Sequence, residues 1–216
     1  MNTYGRGRRL GQRSCVALLS LATFLAPISS RAAPAEPTSA QDAAMRQLKR
    51  PGGVGGCVFL ALPIDIRREV LVSAMAGEGN PPALQSAVAD VAPKCTGRPY
   101  ASSDLALVGS LTATVRQAAA ALVLAQQYGV GQDGLDAAWA AAPSAQKAAF
   151  YEVADEFLSP DREVSPRGLE VARLAAEVGL DPGAFQRAEP ALRSYFLATA
   201  LSERSEAILK QTRPSP

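Results

Sequence analysis

The stretch SDLALVGSLTATVRQAAAALVLAQQY, Ser103 to Tyr128, decides how the rest of the chain must fold. As a single helix it would be about 39 Å long at 1.5 Å per residue. Ser102 and Ser103 offer hydroxyl N-caps, and Asp104 places an anion in the first turn, where the helix dipole favours one. Gly129 followed by apolar Val130 is a left-handed stop with a hydrophobic follow-on. Between these ends Leu105, Leu107, Val108, Leu111, Val115 and Leu122 point in all directions, and a helix apolar all round is a buried one. Gly109 and the run Ala118–Ala121 leave room for neighbouring helices to come close. The rival reading is a membrane span. Asp104, Arg116, Gln117, Gln126 and Gln127 break the apolar run below the roughly 18 residues that a span requires, so a buried core helix is predicted.

On both sides of this helix the punctuation is that of further helices. Cys57–Leu62 is the only strand candidate, and it reads equally well as the entry to a helix. Ile66, Val70 and Ala74 line one face of a helix ending at Gly77. Asn80-Pro81-Pro82 restarts the chain with an N-cap and an N1 proline, and Leu84, Val88 and Val91 carry that helix to Pro93. Asp133 is expected to cap a short helix bearing Leu135, Ala138 and Trp139. Ser144 opens the next, with Phe150, Val153, Ala154 and Phe157 spaced i, i+3, i+4, i+7. Ser165-Pro166 starts another, which carries Val171, Leu174, Ala175 and Val178 and stops at Gly179-Leu180. Asp181-Pro182 begins a new helix at once, and a last long one is predicted from about Pro190 to Gln211.

The corners Gly77/Asn80, Gly129/Asp133 and Gly179/Asp181 share one grammar, a glycine stop followed by an Asx cap. The side chains between them do not align, so these are ordinary helix corners rather than a repeat. The expected fold is all-α: one irregular or orthogonal bundle of about seven to nine helices over 57–212, built around the helix at about 103–128.

Residues 1–32 carry the order of a bacterial signal peptide. Arg6, Arg8, Arg9 and Arg13 form a basic segment, Cys15–Ala26 an apolar one, and Ser30-Arg31-Ala32 a small-residue cleavage site. Cleavage after Ala35 is the alternative. A twin-arginine reading of Arg8-Arg9-Leu10 is weakened by the Gly11-Gln12 that follows, and Cys15 has no lipoprotein box before it. Residues 33–56 read as a flexible Pro/Gly-rich linker with room for a short helix over Gln41–Lys49, dissolved into loop by Pro51–Gly56. Residues 1–35 hold five of the 22 Lys and Arg and none of the 20 acids, so the chain after them has a net charge of −3. That balance, with no basic block, gives no footprint for nucleic acid or for an anionic membrane surface. No stable membrane span is expected after cleavage.

Cys57 and Cys95 are the two cysteines left beyond the leader, and in an exported chain an even pair is most simply a disulfide. The chain has no histidine, which removes Ser-His-Asp and Cys-His catalysis and HExxH zinc sites. Ser144-Ala-Gln-Lys147 has the Ser-x-x-Lys spacing of penicillin-recognising enzymes, but no Lys-Thr-Gly accompanies it, and Leu105 stands where Ser103-Asp104 would need an Asn. It reads as an N-cap serine and a surface lysine. Glu152, Asp155 and Glu156 share a helix side that would suit a hard cation or acid/base work, yet they lie away from the apolar stripe and are expected to face water. No phosphate loop, dinucleotide fingerprint or calcium loop occurs, so no cofactor or metal is expected.

Eight of the ten aromatics beyond the leader lie from Tyr128 onward, for which core packing is the simplest account. The competing account is an apolar groove among those helices, with Trp139, Phe150 and Phe157 as its candidate lining. The motifs are capping grammar and a leader, neither diagnostic of a family. The expectation is an exported protein, periplasmic or secreted, acting as a non-enzymatic binding or interaction module for a protein or small apolar ligand of the cell envelope. The alternative is a histidine-free, carboxylate-dependent hydrolase acting on envelope material, which would need two acids facing each other across a cleft, about 5–10 Å apart.

Overall fold

A computed structural model of the chain describes residues 48–159 and 169–212. The leader, most of the linker and the helix start at Ser165-Pro166 lie outside the described residues. Those described form eight helices and, among them, no strand. In order these are α1 (Gly53–Ala61), α2 (Ile64–Ala76), α3 (Leu84–Thr96), α4 (Leu105–Tyr128), α5 (Gln132–Ala141), α6 (Ser144–Phe157), α7 (Ala172–Glu177) and α8 (Pro182–Gln211).

From Leu105 to Leu124, α4 has no exposed residue, because two apolar clusters press on it. Ala106, Leu107, Leu111, Val115 and Ala119 belong to the cluster built with α1–α3. Ala113, Ala120, Ala121, Val123 and Leu124 belong to the one built with α5–α8. α8 is its most extensive neighbour, lying against it in both halves of the molecule. By length and composition α4 could cross a membrane, but 72% of its most apolar window is buried inside the protein.

The glycine stops are where the sequence placed them. Gly77, Gly129 and Gly179 all adopt left-handed φ, at 72°, 69° and 77°, and the residue after each donates back into the last turn of its helix. The N-caps follow the expected grammar only at α8, where Asp181 Oδ1 accepts from Gly183 N at 2.8 Å and Ala184 N at 2.9 Å. The chain makes a turn at Ala101–Asp104 that leaves Ser102 and Ser103 exposed outside α4, so Asp104, not a serine, caps it, accepting from Leu107 N at 3.1 Å. α3 starts at Leu84 after a turn through the two prolines, not at Asn80. Gly131 precedes α5, and Asp133 lies in its first turn instead of capping it. Ser144 is the first residue of α6 and makes no capping bond.

Two prolines expected at helix boundaries, Pro93 as an end and Pro190 as a start, lie inside helices instead. α3 continues through Pro93 to Thr96, and α8 is one helix of 30 residues through Pro190 rather than two. A proline removes one helical hydrogen bond and crowds the preceding turn. Around Pro190 that loss is offset by burial of Ala188, Ala191 and Leu192 on one continuous face. Beyond Pro93 the last turn of α3 is tied by the Cys57–Cys95 disulfide, which joins it to α1 with the two Cα atoms 5.8 Å apart.

The glycine run expected as loop through Gly56 instead opens α1 at Gly53. The reason is tertiary. A Cβ on Gly55 would lie 2.2 Å from the carbonyl oxygen of Ser110, so only glycine lets α1 cross α4 at backbone contact. Gly55 N donates to Ser110 Oγ at that crossing, at 2.9 Å.

Candidate functional site

The row Leu107, Leu111, Val115 and its neighbour Val108, Thr112, Arg116 rise along α4 at intervals of four residues, as two adjacent ridges of one face. The first ridge is buried and the second half-buried. Opposite them α8 presents Ser194, Leu197, Ala198 and Leu201, spaced i, i+3, i+4, i+7. The two faces do not close on each other completely. They leave a cavity of about 360 Å³, walled also by Leu84 and Val88 of α3, Tyr100, and Phe157 of α6. Glu78, Gly79, Asn80 and Pro82, in the turn between α2 and α3, form its exposed edge, with Pro81 buried beneath them. The volume falls within the ~300–1,000 Å³ typical of small-molecule sites, and the lining is mostly apolar with a few polar groups.

Three of those polar groups define the electrostatics. Arg116 is half-buried, and this burial holds its guanidinium below the usual arginine range. It makes no hydrogen bond or ion pair with any described residue. Ser194 is 4% exposed, and its Oγ has no protein partner. Glu78 is exposed on the turn at the edge and is the one carboxylate among the described lining residues.

The aromatics singled out from sequence do not form one groove. Trp139 is 5% exposed and Phe150 fully buried; their rings meet edge to face at 5.6 Å. Phe196 stacks on the indole at 6.0 Å, and Trp139 Nε1 donates to Glu203 at 3.0 Å, so this group is a core plug with its polar atom satisfied. Phe157 stands apart from it, half-buried on the cavity wall.

The remaining polar clusters are internally paired. Lys49 bridges Asp133 and Asp136 at 2.6 and 2.7 Å, and the buried Tyr195 hydroxyl donates to Asp136 at 2.6 Å. Burial, then that carboxylate, raises the Tyr195 phenol far above its ordinary range. Tyr151, pushed up to about 12 by burial and by its hydrogen bond to Glu203, completes the layer over Trp139. Lys147 Nζ donates to the Ala140 carbonyl and sits 5.6 Å over the indole, while Ser144 is exposed and caps nothing, so the Ser-x-x-Lys pair forms no reactive unit. Of the three acids of α6, Asp155 takes a bidentate bond from Arg204, and Glu156 is not solvated as expected but 6% exposed. It lies one helical turn after buried Val153, on the flank of the apolar stripe rather than opposite it. Among the described residues no three His, Cys, Asp or Glu side chains gather as a metal site.

No protein-family model matches the chain, and neither a curated protein nor a solved structure does. Sequence reasoning missed the cavity because its walls come from residues 74 to 201. The signal in the sequence is Arg116, the one charged residue in Leu105–Tyr128.

Proposed function

We propose that this chain is an exported, non-enzymatic binding module whose site is the apolar cavity between α4 and α8. The observation that carries the reading is the 360 Å³ space where two well-packed helices fail to close, with apolar rows on both walls. Packed interiors leave few voids larger than a water molecule, so a cavity of this size open at the Glu78–Pro82 turn is a site rather than a packing fault. Export is supported by the order of basic, apolar and small residues in 1–32 and by the disulfide. The hydrolase alternative needs a facing pair of acids, and the described lining offers Glu78 alone.

The test is titration of the chain with a neutral, environment-sensitive dye such as Nile red. Saturable enhancement is expected in the parent and its loss in Val108→Trp, which fills the cavity from the half-buried ridge without entering the core. Equal enhancement in a folded Val108→Trp protein would place the apolar site elsewhere.

A further inference from the structure

Arg116 differs from the paired arginines of the fold. Arg98, Arg193 and Arg204 each touch a carboxylate, of Asp104, Glu189 and Asp155. Arg116 touches none among the described residues, although it is drawn partly out of water into an apolar wall. A charge so placed loses hydration and gains nothing from the fold in return. Across the same cavity the Ser194 hydroxyl is nine-tenths buried and has no protein partner. Glu78 does not complete the pair: it stays on the exposed edge and forms no ion pair with Arg116. Two polar side chains on opposite walls of one apolar space therefore lack what they would bind.

Resting on the cavity reading above, we infer that the ligand is an anionic amphiphile, a carboxylate on an unbranched apolar chain. Its head engages Arg116 and Ser194, and its tail lies along Leu107, Leu111 and Val115. The planar guanidinium fork matches a carboxylate bidentately, and a serine hydroxyl takes a remaining lone pair. Size sets the tail. At about 30 Å³ for each water-sized group the space holds roughly a dozen, a medium chain of about ten carbons. The same volume is less than one turn of a helix about 10 Å across, so a single chain fits where a partner helix does not.

The experiment measures displacement of Nile red from the full chain by decanoate and by decanol, in the parent and in Arg116→Gln. Decanoate is expected to displace dye at least tenfold more effectively than decanol, the range of a charge-assisted bond. Arg116→Gln should bring decanoate down to the level of decanol. Arg116→Met is the second variant. It keeps the apolar stem and removes the unpaired charge, so it should melt no lower than the parent and show the same loss of selectivity. Equal displacement by both probes in the parent, or unaltered selectivity in both variants, would overturn the head-group inference and leave the apolar cavity reading standing. Failure of both probes, with no dye bound, would remove that reading and this inference with it. A parent dimer in sedimentation that Arg116→Gln dissociates would seat a second copy in the cavity and overturn the inference.

Discussion

Glu206, near the end of α8, accepts the backbone N–H of Val54 at 2.6 Å and so caps α1 from 152 residues away. The same oxygen accepts from Ser110 Oγ at 2.8 Å, and Ser110 in turn accepts from Gly55 N, so one carboxylate fastens α1, α4 and α8 at a single point. Gly53 makes room for it: its φ is 69°, in the left-handed region, and a Cβ there would lie 2.5 Å from the carboxylate oxygen. A helix of nine residues with five buried and no local side-chain cap thereby obtains its cap from tertiary structure.

Glu206→Ala should destabilise the fold by about 1–3 kcal/mol, because it strands the buried Val54 N–H and removes the acceptor of Ser110. Glu206→Gln keeps an acceptor oxygen and should lose less than half as much. Urea unfolding at constant m-value reads the difference. If Glu206→Ala matched the parent midpoint, the three-helix junction would contribute nothing to stability.

What was legible in the sequence was local. Gly129 with Val130, Gly179 with Leu180 and the Asp181 cap are short-range codes, and all three are realised. The burial of α4 followed from a helix with no polar face, and Val115 is 6% exposed. What was hidden depends on partners far away in sequence. Pro190 reads as a helix start until the face Ala188–Ala191–Leu192 is seen packed on both sides of it. Gly52–Gly56 reads as loop until Gly55 is seen against Ser110. The cavity depends on the registers of α4 and α8, which hydrophobic periodicity alone does not encode.

The disulfide should matter most to α1, whose glycine-rich start has poor helix propensity of its own. With Cys57 and Cys95 separated by 38 positions, the chain-entropy account assigns the bond about 4 kcal/mol. Cys57→Ser/Cys95→Ser should lower the unfolding free energy by an amount of that order. Mass spectrometry of the parent, isolated without reductant, should find the linked peptide pair. Two alkylatable thiols at these positions in that sample would contradict the bond.

Stability should fall in alkali. The Tyr195 phenol is raised by burial and Asp136, and Tyr151 is pushed up to about 12, while unfolded tyrosines titrate near 10. Raised acids bind protons more tightly in the folded state, so their contribution is complete below about pH 10 and is lost as pH rises through the folded values. Urea unfolding at pH 8, 10 and 11 should show the decline, and Tyr195→Phe should flatten it. Parallel pH profiles for variant and parent would exclude Tyr195 as its source.

Export predicts a processed N-terminus. Protein recovered from the periplasm or medium should begin just after Ala32, or after Ala35 if the alternative site is used, by N-terminal sequencing. An intact Met1 on protein held in the membrane fraction would refute cleavage.

Trp139 and Phe157 should separate stability from binding. Trp139 packs against Phe150, Tyr151 and Phe196 and has its N–H satisfied by Glu203, but it does not line the cavity. Trp139→Ala should therefore cost roughly 3–5 kcal/mol, the range of a deleted core aromatic. The fraction that remains folded should bind Nile red with parental affinity. Phe157 is half-buried with one side on the cavity, so Phe157→Ala should cost less stability and change dye affinity severalfold. The indole emission of the parent should be blue-shifted, as for a buried tryptophan, and should keep its wavelength when decanoate fills the cavity. Weakened dye binding in folded Trp139→Ala, with Phe157→Ala unaffected, would move the site from the α4–α8 cleft to the aromatic layer of α5 and α6.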